Sequence, residues 1–342
     1  MSVAEAALSG PVPPATGGWV ELKGDVLWGR LPVPGMLGHV NVWLLPEPGG
    51  WWLVDSGLPQ PAVELAWAGL AEAIDLRSRL RGIVVTHHHP DHIGMAARLA
   101  AEYDVPVRCS QATYQAAESA LRPEPAAALA AFEDWAAAHG VPADQELREL
   151  LTGALYARMI SGLPVPAPFL NQGEDLPLSA PWRISLHEGH APGHVCLYNA
   201  VDDLLISGDQ VLPSISPNIS LHPGGRDDDP LGQYLASLRE LRGIPDTAMV
   251  LPAHGRPFNH LHSRLDQLAA EHATRLRAIE AALVTPRALD EVVALLFRVR
   301  LSDIFNRMLA IGETLAHLRH LEVAGRVRRQ GRGPALRWVG QE

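Results

Sequence analysis

Four histidines and an aspartate fall within six positions, His87-His88-His89-Pro90-Asp91-His92, directly after the apolar run Ile83-Val84-Val85. The apolar run reads as a buried strand. In extended backbone, side chains two apart project to the same side, so His87 and His89 can share one ion while His88 points away. Pro90 stops the extension and permits a helix beginning near His92, which turns Asp91 and His92 toward a second ion beside the first. One short loop can therefore supply two metals.

A chain of 342 residues, 47% of them hydrophobic, can bury a large core as one big domain or a domain with an appendage. No apolar run approaches the ~18 residues of a membrane span, and Met1 to Gly18 lacks the basic-then-apolar order of a secretory signal. That stretch, 1–18, is expected as a flexible tail. Cys109 and Cys196 are the sole cysteines, too few for a disulfide framework, and are expected as buried free thiols in a reducing cytoplasm. The formal charge is −10 but unevenly placed. From Arg275 onward twelve arginines face seven acidic residues, about +5, which leaves about −15 for everything before.

Val26–Trp28, His39–Leu45 and Trp51–Val54 read as a β-meander ending at Asp55-Ser56-Gly57, with Pro61–Leu76 helical behind it. From about 112 to 178 the pattern changes to Ala-rich helical runs, Pro123–His139 and Ala143–Ile160. This segment leaves after the histidine loop and returns before the next polar strand end, as an insertion capping the site would. Its Tyr114 and Tyr156 suit substrate contact or core packing equally. Strands resume at Trp182–His187, Val195–Tyr198, Leu204–Ser207 and Met249–Leu251. Three of these strand ends carry His194, Asp209 and His254 beside Gly193, Gly208 and Gly255, where the chain can turn sharply. After a long helix, Arg264–Leu283, helices at Arg287–Phe297, Ser302–Leu309 and Glu313–Ala324 precede a hairpin through Gln330–Gly333. Helix, helix, helix, hairpin is the order of a winged helix.

Thr86-His87-x-His89-x-Asp91-His92, Pro192-Gly193-His194, Ser207-Gly208-Asp209 and Ala253-His254-Gly255 resemble, in order, the motifs of the metallo-β-lactamase superfamily of hydrolases. Asp55-Ser56-Gly57 matches that family's early motif, which supports the site. The segment Gly312-Glu313-Thr314-Leu315-Ala316-His317-Leu318 is similar to the winged-helix extension of its glyoxalase-II-like branch. The resemblance implies an α/β fold, an αββα sandwich over 19–283 with a helical insertion at about 112–178 and a winged-helix-like domain over 284–342. It further implies that His87, His89 and His194 hold one ion, that Asp91, His92 and His254 hold another, and that Asp209 bridges them. Imidazole and carboxylate ligands without thiolate suit two divalent ions, zinc first, with iron or manganese as alternatives.

The expected chemistry is attack of hydroxide on a thioester, ester or lactone carbonyl, with Asp91 orienting the nucleophile. A metal-dependent endoribonuclease or phosphodiesterase using the tail is the second reading, and an iron persulfide dioxygenase the third. Asn218 and His222 are candidate substrate contacts on the Pro/Gly-rich loop after Asp209. His187 and His190 are expected as supporting or exposed residues. Arg326, Arg328, Arg329, Arg332 and Arg337 give the hairpin a nucleic-acid surface or a solvated wing. The expected partner is a small molecule, with no membrane and a homodimer in keeping with the family.

Overall fold

Strand β3 (His39–Glu47) shows why this chain builds two layers of core. Its alternate residues Val40, Val42 and Leu44 pack outward against helices, while Trp43 and Leu45 pack inward against a second sheet. A strand with both faces buried must be apolar throughout, as this one nearly is. The computed structural model describes residues 11–35, 37–121, 125–142, 145–151, 154–165, 167–176, 178–223, 229–297 and 303–341.

The first sheet runs in the order β1-β2-β3-β4-β5-β6: Trp19–Glu21, Leu27–Pro32, β3, Gly50–Val54, Leu80–Val84 and Val107–Arg108. The meander is antiparallel through β4; β5 and β6 then add in parallel. Parallel addition requires crossovers, supplied by the helices Pro61–Ala73 and Ala96–Tyr103. The second sheet is ordered β11-β10-β9-β8-β7: Met249–Pro252, Leu204–Gly208, His194–Asn199, Trp182–His187 and Asp175–Leu176. Trp28, Trp43, Trp182, Ile184, Leu197 and Ile206 fill the space between the sheets. Helices Pro230–Leu241 and Leu261–Ala282 cover the outer face of the second sheet through Tyr234, Leu238, Leu265 and Leu268. The result is the expected αββα order of layers.

Three expectations change. Residues 1–10 of the expected tail lie outside the described residues, but Gly17 lies against the helix Pro61–Ala73: a Cβ on Gly69 would come within 3.0 Å of its carbonyl oxygen. The helix through Leu76 breaks at Asp75, whose left-handed backbone (φ 48°) starts a separate turn, Leu76–Arg79. The helices expected at 302–309 and 313–324 are one, Ile304–Val323, which passes unbroken through Gly312, while residues 298–302 lie outside the described residues. Among the described residues after 283, two helices rather than three, Leu289–Leu296 and Ile304–Val323, precede the hairpin of β12–β13 (Val327–Gln330, Arg337–Gly340).

The insertion is not a free flap. Phe132, Trp135, Val141 and Leu147 share one apolar core with Leu289, Val292, Ile311, Leu315, Leu336 and Trp338 of the C-terminal segment. Gly140 sits where a Cβ would lie 3.3 Å from the Leu336 side chain, and Arg329 donates to the Ala138 carbonyl at 3.2 Å. Among the described residues no helix is long and apolar enough to cross a membrane.

Candidate metal centre

β4, β5, β10 and β11 end at one edge of the sandwich, and β9 begins there. Just past β5, Thr86 holds the turn to Asp55: its N–H and its hydroxyl both donate to the Asp55 carboxylate, at 2.8 Å to Oδ1 and 2.8 Å to Oδ2. Asp55 has a left-handed backbone (φ 62°) that aims its carboxylate back across the sheet end. Pro90 then opens the short helix Pro90–Ile93, with extended backbone at His89 before it (φ −62°, ψ 145°). This is the proline turn that the sequence predicts.

Two groups of ligand-type atoms result. His87, His89, His190 and Asp209 each place one such atom within 4.8 Å of the others; Asp91, His92 and His254 do the same. Asp209 faces both groups: Oδ2 is 3.5 Å from His190 Nε2, and Oδ1 is 3.6 Å from His92 Nε2 and 3.4 Å from His254 Nε2. Asp91 Oδ2 lies 3.4 Å from His254 Nε2 and 3.6 Å from His92 Nε2.

The outer ring nitrogens fix which way each imidazole looks. His92 Nδ1 donates to Asp55 Oδ2 at 2.8 Å, and His254 Nδ1 donates to the His39 carbonyl at 2.7 Å. Since the Thr86 hydroxyl gives its proton to Asp55, it accepts from His87 Nδ1 at 3.1 Å. Each Nε2 is thereby turned to the interior of the group, the arrangement of metal-binding histidines whose second nitrogen is anchored. The loop bearing His254 is held from behind by Asn41, whose amide donates to the carbonyls of Pro252 at 2.7 Å and Gly255 at 3.1 Å. Sequence reading missed Asn41 and His39, because polar residues inside a strand carry no motif.

The site fits cations. His92 Nε2, His254 Nε2 and Asp209 Oδ1 are buried and have no hydrogen-bond partner among the described residues, and such atoms cost free energy unless something satisfies them. Burial, then the neighbouring rings of His92 and His89, holds His87 well below the ordinary imidazole pKa, so it stays a neutral, ligating ring. Burial also pulls on His254, but Asp209 and Asp91 outweigh it and raise that ring to about 10. Likewise, burial depresses His92, yet Asp91, Asp55 and Asp209 lift it well above its usual value. These carboxylates draw positive charge to that spot, and a divalent cation supplies it while displacing the protons.

Several residues depart from expectation. His194 stacks on His87 with ring centroids 4.8 Å apart, but its Nε2 accepts the backbone N–H of Asp209 at 3.1 Å, so that nitrogen is not presented to the group. The cause is Gly208 (φ 50°), which brings the Asp209 amide so close that a Cβ there would lie 2.6 Å from the His194 ring. His190, expected at the margin, stands in the group instead. The Asn218 side chain is engaged within the protein: its amide donates to Glu313 Oε2 at 3.1 Å and its carboxamide oxygen accepts from Ser220 Oγ. His222 is solvent-exposed on the same loop, whose residues 224–228 lie outside the described residues. His187 pairs with Ser185 Oγ at 2.9 Å and belongs to neither group. Tyr114 packs against the core of the first sheet, whereas the Tyr156 hydroxyl donates to the His88 carbonyl at 2.6 Å.

Comparison with known proteins agrees with this geometry. Residues 35–254 match the metallo-beta-lactamase superfamily and residues 276–338 match the metallo-beta-lactamase-like C-terminal domain. The chain belongs to the metallo-beta-lactamase superfamily. It is similar to a crystal structure of a beta-lactamase domain protein from Burkholderia ambifaria, with a TM-score of 0.86 and 30% identity over 98% of this chain and 97% of that one. A metallo-beta-lactamase family protein from Thermus thermophilus gives a TM-score of 0.77 and 29% identity over 92% and 98% of the two chains. The probable metallo-hydrolase YqjP of Bacillus subtilis (strain 168) is 26% identical over 316 residues, 87% of this chain and 92% of that protein. The protein is a metal-dependent hydrolase with His/Asp clusters able to bind metal ions.

Proposed function

We propose that this is a dinuclear hydrolase of a thioester, ester or lactone, with zinc as the leading metal and iron or manganese as alternatives. The carrying observation is Asp209, one carboxylate with an oxygen toward each group. Two cations on either side of it would make water acidic enough to ionise near neutral pH and would polarise a carbonyl oxygen.

The chain's own residues do the rest. His92 and His254 are locked by Asp55 and the His39 carbonyl, so the centre needs no reorganisation as charge develops. The Asp91 side chain is 16% exposed and that of Asp209 11%. Asp91, the more open of the two, would accept a hydrogen bond from the attacking water and orient it. The Tyr156 hydroxyl holds the His88 carbonyl from the insertion side. His222 is a candidate contact for the far end of the substrate.

The phosphodiester reading draws less support from the tail. Arg329 makes a two-pronged pair with Glu322 at 2.7 and 3.0 Å, and Arg326 pairs with Glu280, so two of the five hairpin arginines are already neutralised. The test is metal analysis of the purified chain alongside acyl-CoA, acyl-glutathione, lactone, aryl phosphodiester and single-stranded RNA substrates. About two zinc per chain with carbonyl hydrolysis supports the proposal. One iron per chain without hydrolysis, or RNA cleavage alone, overturns it.

A further inference from the structure

β2 ends and β3 begins at the edge that carries the metal groups, and Arg30 pairs there across the strands with Asn41. The half-buried Arg30 side chain is held from several directions. Its Nε donates to Asn41 Oδ1 at 3.2 Å, its Nη2 donates to the Gly255 carbonyl at 2.6 Å, and its Cζ lies 4.9 Å over the Trp28 ring. Asn41 is fixed in turn, because the Trp28 indole N–H donates to the same Oδ1 at 2.8 Å. A guanidinium carries more N–H donors than these bonds use. Arg30 is therefore anchored with donors to spare.

Arg256 follows Gly255 directly and is also half-buried. It stands close enough to Arg30 that its charge, after burial, lowers the Arg30 guanidinium to about 10, which leaves it charged at neutral pH. Among the described residues, neither arginine has a carboxylate at ion-pair distance, and Arg256 donates to no protein acceptor. His39 brings no negative charge either: its Nε2 accepts the Gly255 N–H at 3.0 Å, and its ring is neutral. Like charges set together in a partly desolvated place cost free energy. The chain before Arg275 is strongly acidic, so the missing carboxylate is not for want of supply. Planar guanidinium groups suit carboxylate and phosphate, which accept paired N–H bonds.

The place of the pair links it to the reaction. Gly255, gripped by Arg30 and Asn41, separates Arg256 from His254, and the His39 and His254 rings lie 6.5 Å apart. We propose that Arg30 and Arg256 form a subsite for a carboxylate or phosphate of the substrate, which makes that substrate an anionic acyl compound rather than a neutral ester or lactone. This rests on the reading of the centre as a carbonyl hydrolase and adds the charge its substrate carries.

The experiment uses the purified full chain in two arms. The first compares thioesters of equal length whose acyl chain ends in a carboxylate, in a phosphate or in a methyl group. Wild type should prefer a charged chain, and the stronger of the two names the anion. Arg256→Ala should lower the charged-over-neutral preference about 10-fold, the change falling on KM rather than kcat. Arg30→Lys, which keeps charge without the flat fork, should lower it less. The second arm titrates glutarate and inorganic phosphate by calorimetry, where Arg256→Ala should weaken binding of the preferred anion by a similar factor. Thermal melting of each variant separates these effects from general damage. An unchanged preference and unchanged anion binding in Arg256→Ala would overturn the subsite. A wild-type chain that binds the anion through Arg256 yet cleaves none of the thioesters would overturn the hydrolase reading and uphold the anion site.

Discussion

The Tyr156 hydroxyl lies 2.6 Å from the carbonyl of His88 and ties the helical insertion to the metal loop. A neutral hydrogen bond of this kind contributes about 0.5–1.5 kcal/mol. Tyr156→Phe should leave metal content unchanged and cost roughly that much in kcat/KM, about 2- to 13-fold. Steady-state kinetics with parallel metal analysis would check it, and a loss of bound metal would refute the assignment.

Asp55 touches no candidate substrate position, yet it holds His92 and both polar atoms of Thr86. Asp55→Ala frees the His92 ring and leaves the Thr86 amide buried without its acceptor. Replacing such an outer partner commonly lowers metal affinity or activity about 10–100-fold. Chelator competition should show that loss for the equivalent held by Asp91, His92 and His254.

Gly312 sets two effects against each other. Alanine in a helix interior is favoured over glycine by about 1 kcal/mol. At this position, however, the new methyl would stand 2.7 Å from Ser220 Oγ and 2.8 Å from its Cβ, and overpacking costs about 1–3 kcal/mol. The clash wins: Gly312→Ala should lower the melting temperature, and Gly312→Val more so, with activity falling as the Asn218 loop moves. A stabilised Gly312→Ala would show that the helix and loop are not in register.

His272 and His317 are fully buried and joined at 3.1 Å. Because His317 Nδ1 donates to the Glu313 carbonyl, its Nε2 accepts from His272 Nδ1, and both rings are neutral. Burial, helped by each other's proximity for His272, lowers that ring to about 3, and burial lowers His317 to about 4. Their contribution is therefore full above the unfolded value of about 6.5 and is lost as pH falls toward 4. The unfolded chain takes up protons there that the folded chain refuses. Each such proton costs about 1.4 kcal/mol per pH unit. Melting temperatures of the wild type and of a His272→Leu/His317→Leu double variant should converge as pH drops from about 6.5 to about 4; parallel curves would sink this account.

How much was legible in the sequence follows from where the information sits. The ligand-bearing strand ends announce themselves locally: His87, His89, Asp91 and His92 fall in one turn, and the alternation of Val40, Val42 and Leu44 with other residues marks β3. The exchange of His194 for His190 does not, since it depends on how far Gly208 lets a backbone amide approach. Asn218 looked like a pocket residue because nothing nearby in sequence names Glu313, ninety-five positions on. The break expected between Leu309 and Glu313 does not form, because packing carries one helix through Gly312.

The core shared by the insertion and the C-terminal segment also has an order in time. During synthesis, residues 19–283 emerge first, and domains fold as they emerge. Until 289–340 follow, Phe132, Trp135 and Leu147 lack most of their apolar partners and Asn218 lacks Glu313. A nascent chain can thus assemble its sandwich and its motif loops without a finished roof. A chain ended before residue 289 therefore keeps its motif loops but leaves Phe132, Trp135 and Leu147 without the C-terminal side chains that cover them.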